Sequence, residues 1–132
     1  MRTQQQLDDF TLAYIEAALW SSNDDSTPQG GEPLDANYGF DDIAPDTLEE
    51  MAADCKRFQE ENAADIAAGP DAPDYSRHER AGHDFWLTRN GHGCGFWDGD
   101  WPEEIGERLT EASKKYGEYN LYVGDDGMIY NE

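Results

Sequence analysis

The chain is poor in the residues that usually build a core. It holds a single valine, Val123, and Leu, Ile, Val and Phe together number 19 of 132 residues. A share below roughly 20%, joined to high net charge, usually marks disorder. Positive charge is scarce as well. Nine Lys and Arg stand against 30 acidic residues, a formal net charge of -21. That balance excludes a nucleic-acid binder working through cationic contacts to phosphates, and it disfavours anionic membrane surfaces. Two cysteines, Cys55 and Cys94, are too few for a disulfide framework or a four-cysteine zinc site, so reduced, partly buried thiols are expected. No apolar run approaches the roughly 18 residues of a membrane span. The start, MRTQQQLDDF, lacks the basic, apolar and small-residue regions of a signal peptide, which points to the cytoplasm.

Aromatic residues are what the chain does have: 4 Trp, 7 Tyr and 5 Phe. Disordered chains seldom carry so many, so a single folded domain over 1–132 is expected, with long loops at 21–39 and 69–82. Leu7, Phe10, Tyr14 and Ala18 fall on one stripe of a helix from Leu7 to Trp20, with Asp8 and Asp9 in its first turn. A second helix follows Pro45, with Asp46 as N-cap and Glu49 at capping-box spacing. Leu48, Met51, Cys55, Phe58 and Ile66 continue it as far as Gly69-Pro70.

The run from His83 to Arg89 is aromatic and β-favouring, and Asn90-Gly91 is a hairpin signal. The spacing predicts a hairpin with Cys94–Asp98 as the return strand. A two-residue turn sets Phe85 opposite Phe96, a longer Asn90–Gly93 loop sets Trp86 opposite Trp97, and in both registers Trp86 and Trp97 share the other face. A third helix is expected from Pro102 to Tyr116, with Ile105, Leu109, Ala112 and Tyr116 inward. Tyr119–Val123 and Met128–Tyr130 read as strands around Asp125-Asp126-Gly127. The resulting class is α+β, with helices packed on one face of a small antiparallel sheet, in the order α-α-β-β-α-β-β.

The strings AGHDFWLTRNGHGCGFWD and YNLYVGDDGMIY, with FTLAYIEAALWSS and PLDANYGFDDIAPDTLEEMAADCKRFQ, resemble a group of small acidic proteins encoded by bacteriophages and prophages. The resemblance covers most of the chain. It implies a phage or prophage setting and an accessory, non-structural role, and it brings no catalytic residues.

The acidity is uneven. Residues 1–76 hold 18 acids against Arg2, Lys56 and Arg57, a net of -15, whereas residues 77–132 hold 12 against six bases, a net of -6. Glu103, Glu107 and Glu111 recur every fourth residue, with Glu104 beside them and Asp98 and Asp100 just upstream. Asp54, Glu60, Glu61 and Asp65 form a second candidate row. Like charges so placed cost a helix a few tenths of a kcal/mol per pair. Carboxylates on successive turns can instead stand in for phosphates before a basic groove, giving fast, salt-sensitive binding. The expected role is therefore non-enzymatic: binding and inhibiting a basic, nucleic-acid-handling host protein, with no cofactor and no metal.

Two alternatives have their own residues. An exposed Trp86, Trp97 and Trp101 surface could dock a partner through apolar contacts. His83, His92 and Cys94 could form a metal or hydrolytic site, although no diagnostic ligand spacing is present. Asp98-Gly-Asp100 and Asp125-Asp126-Gly127 lack the later ligands of a calcium loop and read as turns. Gly91, Gly93 and Gly95 lead into no helix and make no phosphate loop.

Overall fold

A computed structural model describes residues 7–24, 32–69, 77–91, 96 and 101–131. The first helix, α1 (Asp9–Ser21), starts at Asp8, whose carboxylate accepts the Thr11 backbone N–H at 2.9 Å. That bond satisfies one of the orphan donors of the first turn. Phe10, Tyr14, Ala17 and Ala18 are fully buried, and Ala13, Ile15 and Leu19 nearly so. A helix apolar on almost every side belongs in an interior.

Its main neighbour is α4 (Arg77–Arg89), which corrects the sequence expectation. Residues His83–Arg89 are helical, not a strand, and the helix begins at Arg77, inside the loop expected over 69–82. Ala81, Phe85, Trp86, Leu87, Thr88 and Arg89 are all buried. A segment covered on so many sides shows no clean period, so its apolar run fits a strand and a buried helix alike. Asn90-Gly91 closes this helix instead of turning a hairpin. The Asn90 backbone N–H and side-chain amide both donate to the Trp86 carbonyl, and Gly91, at φ +70, donates to the Thr88 carbonyl. A left-handed glycine after the last turn is a common helix stop. Of the expected return strand, Phe96 lies among the described residues. Its N–H donates to Thr88 Oγ1 at 3.2 Å, and its ring packs on Phe58 and Trp101.

The α2 helix (Pro45–Glu61) has Ala44 as N-cap, not Asp46; Pro45 occupies the first position, where its missing N–H is harmless. Asp46 sits in the first turn instead. The helix breaks at Asn62, whose amide donates to the Phe58 carbonyl, before a short α3 (Ala63–Ala67) carries Ile66 into the core. The expected helix up to Gly69 is thus two. The α5 helix (Glu103–Lys114) follows Pro102 and buries Leu109, with Ile105, Ala112 and Tyr116 flanking it.

Two antiparallel ribbons complete the described elements. Asn23–Asp24 (β1) pairs with Glu32–Pro33 (β2), inside the expected 21–39 loop. Leu121–Val123 (β3) pairs with Ile129–Asn131 (β4), as the sequence predicts. Ala44 N–H donates to the Ile129 carbonyl, tying the start of α2 to β4. The described class is therefore α+β and mostly helical, in the order α-β-β-α-α-α-α-β-β. The strands form two separate ribbons, so the expected single sheet with helices on one face is also corrected.

Rings take the place of the missing aliphatics. Phe58 stacks on Phe85 at 4.1 Å, and Phe10, Tyr14 and Tyr116 close around that pair. Such pairs contribute about 0.5–1.5 kcal/mol each beyond area burial. The α1–α4 contact depends on Gly82, where a Cβ would stand 2.0 Å from the Phe10 carbonyl oxygen. Because that neighbour is backbone, Gly82→Ala is expected to destabilise by about 2–3 kcal/mol. Urea unfolding checks this, and an unchanged midpoint would contradict the close approach of the two helices.

Candidate functional site

The charges divide into those turned inward and those left outward, and Arg89 is the pivot. It ends α4, and its side chain is 3% exposed. Nη1 donates to Tyr14 Oη of α1 and to Asp54 Oδ2 of α2, both at 3.0 Å. Nε and Nη2 donate to the carbonyls of Gly117 and Tyr116, just beyond α5, at 2.8 and 3.0 Å. The rings of Phe85, Tyr116 and Tyr119 lie 5.2–5.5 Å from the guanidinium carbon. A buried charge is costly unless it is paired and its donors are satisfied. Here one carboxylate, two carbonyls and a phenol do both.

Three members of the second expected acid row have partners across the fold. Asp54 is the counter-ion of Arg89. Glu61 accepts the Tyr116 hydroxyl at 3.0 Å. Asp65 holds Arg108 through three contacts of 2.7–3.2 Å, and this hydrogen bonding keeps its carboxyl below the usual range. Glu60 alone of that row is exposed without such a contact among the described residues. Glu50, which the sequence reading did not single out, accepts the Tyr119 hydroxyl at 2.8 Å. Burial, then the hydrogen bond to Glu61, pushes the Tyr116 phenol up to about 12. Burial and Glu50 raise Tyr119 likewise. Both phenols remain donors, and their hydrogen bonds position the Glu50 and Glu61 side chains.

The α5 row faces outward. Glu103, Glu104, Glu107 and Glu111 are all exposed. Glu103, Glu107 and Glu111 rise about 6 Å per four residues and have no ion pair among the described residues. Arg108 lies in the same helix, yet its guanidinium is drawn across to Asp65. Asp98, Asp100 and Trp97 lie outside the described residues.

The apolar docking surface is corrected. Trp86 is 2% exposed, with its indole N–H on Ser21 Oγ at 2.7 Å and its ring edge-on to Tyr14. Trp101 is buried and donates to Asp84 Oδ2 at 2.8 Å. The large apolar side chains exposed among the described residues are Trp20 and Tyr122. Adjacent residues 85 and 86 do not divide between two faces, because a helix turns about 100° per residue instead of alternating.

His83 lies against the Trp20 ring, 5.5 Å between centroids. His92 and Cys94 lie outside the described residues, and among the described ones no three potential metal ligands converge. Cys55 is fully buried, and burial pushes its thiol up, away from a reactive thiolate. Asp126 Oδ1 accepts the Met128 N–H, the turn role its sequence context suggests.

Removing the buried cation breaks four contacts and leaves Asp54 without its partner. Arg89→Met is therefore expected to cost about 3–5 kcal/mol. Arg108→Met, at a largely exposed, solvent-screened pair, is expected to shift the unfolding midpoint far less. Urea unfolding of the two variants checks this, and equal losses would contradict the contrast.

Comparison of the chain with protein-family models, with curated proteins and with solved structures finds no match.

Proposed function

We propose that this protein is a non-enzymatic inhibitor that binds a basic, nucleic-acid-handling protein, offering carboxylates where that partner expects phosphates. The observation that carries this reading is the sorting of charge. Arg89 and Arg108 are clamped by Asp54 and Asp65, while Glu103, Glu107 and Glu111 stand exposed and unpaired among the described residues. With a net charge of -21, such a surface attracts a cationic groove over a Debye length and steers its approach.

The α5 row alone is sparser than duplex DNA, which carries one charge per roughly 1.7 Å of axis. Exposed Glu104 of α5 and Glu60 and Glu61 of α2 are candidates to add density. The resemblance to small acidic phage and prophage proteins supplies a setting, the cytoplasm of an infected host. The partner would then be a host nuclease, restriction enzyme or other DNA-handling defence protein.

The test is capture of purified basic DNA-binding proteins at low and high salt. The wild type is compared with a Glu103→Lys, Glu107→Lys, Glu111→Lys variant. Binding that weakens with salt, competes with duplex DNA and falls at least roughly tenfold in the variant is expected. Absence of binding at low salt, or binding indifferent to both salt and charge reversal, would overturn the proposal.

A further inference from the structure

A cleft of about 590 Å³ opens between the C-terminal halves of α2 and α5. Its volume lies within the roughly 300–1,000 Å³ of small-molecule sites. Asp54, Arg57, Glu61, Asn62, Lys115 and Tyr116 line it. Its charges are unequally available. Asp54 is paired with Arg89 behind the wall, whereas Glu61 accepts a hydrogen bond from the Tyr116 hydroxyl at the rim, with no ion pair among the described residues. Asn62 gives an amide hydrogen to the Phe58 carbonyl. Arg57 and Lys115 are exposed and form no ion pair among the described residues. The Arg57 guanidinium carbon instead stands 5.9 Å from the centre of the Tyr116 ring.

Two cations facing one cleft, paired with no acid among the described residues, require a reason. Lys115 caps the C-terminus of α5, where a cation complements the helix dipole. Arg57 has no such explanation. It precedes the last turn of α2, which holds no basic residue, and the dipole effect fades within one turn.

We infer that the α2–α5 cleft is a binding site for a small anion bearing a carboxylate or phosphate group, held between Arg57 and Lys115. Arg57 offers a planar fork of donors and Lys115 a point charge, the two modes by which proteins grip such groups. The net charge of the chain repels a free anion at long range, so short-range contacts in the cleft carry the affinity. This site is separate from the α5 carboxylate row and does not rest on the inhibitor reading.

Titration with inorganic phosphate and, separately, with acetate, followed by backbone amide shifts against a sodium chloride control, tests the inference. Saturable shifts at Asn62, Lys115 and Tyr116 are expected. A response to phosphate alone identifies a phosphoryl ligand, and one to acetate alone a carboxylate. Affinity should fall roughly tenfold or more in Arg57→Gln/Lys115→Gln, and stay near wild type in Lys56→Gln/Lys114→Gln, which removes the same charge elsewhere. Near-UV circular dichroism verifies that both variants fold. No saturable shift with either anion, or equal losses in the two variants, would overturn it.

Discussion

One buried guanidinium holds the described structure together. Arg89 reaches α1 through Tyr14, α2 through Asp54, and the chain leaving α5 through two carbonyls. A charge in that position is tolerated only because every direction supplies an acceptor or a ring face. In return it gives directional contacts to a core poor in aliphatic side chains. Rings pack well but leave the orientation of helices loosely specified, whereas a forked donor with four acceptors admits one arrangement. The net charge sharpens the effect. In a chain of -21 that opposes its own compaction, a cation at the centre offsets repulsion where helices meet.

The outer surface follows from this inner use of charge. Carboxylates of α2 are recruited to Arg89 and Tyr116, and α3 contributes Asp65 to hold Arg108. The α5 glutamates are left facing outward. The acidic residues thus serve two purposes. One set orders the helices, and the other faces outward, where the proposed partner would meet it. That division supports recognition of a basic partner more directly than an even coat of charge would.

Much of this was legible from residues alone. The stripes of α2 and α5 predict their buried faces, because each of these helices has enough polar positions to reveal a period, and α1 was legible from its apolar run behind Asp8 and Asp9. The β3–β4 ribbon was equally clear, framed by its Asp-Asp-Gly turn. The α4 helix was not. Its run from Ala81 to Arg89 is covered on most sides, and Asn-Gly serves a hairpin and a helix stop equally well. That one misreading moved Trp86 from the core to a supposed binding face. It also hid Arg89, which looks like the polar end of a strand until the helix brings it beneath Tyr14 and Asp54. An arginine four residues after Phe85, within an aromatic run, was the available sign of a stacked, buried guanidinium. The acid rows were readable as spacing, but spacing does not say which carboxylates have partners across the fold, so Asp54, Glu61 and Asp65 could not be told from Glu103, Glu107 and Glu111.

The central claim is that Arg89 is sequestered and held by several acceptors at once. Nitrogen-15 NMR of the arginine side chains measures this directly, through exchange of the Arg89 Nε–H proton with solvent. The account predicts a slowly exchanging signal that disappears in Arg89→Lys and accelerates in Asp54→Asn. An Arg89 Nε–H that exchanges as fast as that of a free arginine side chain would contradict it.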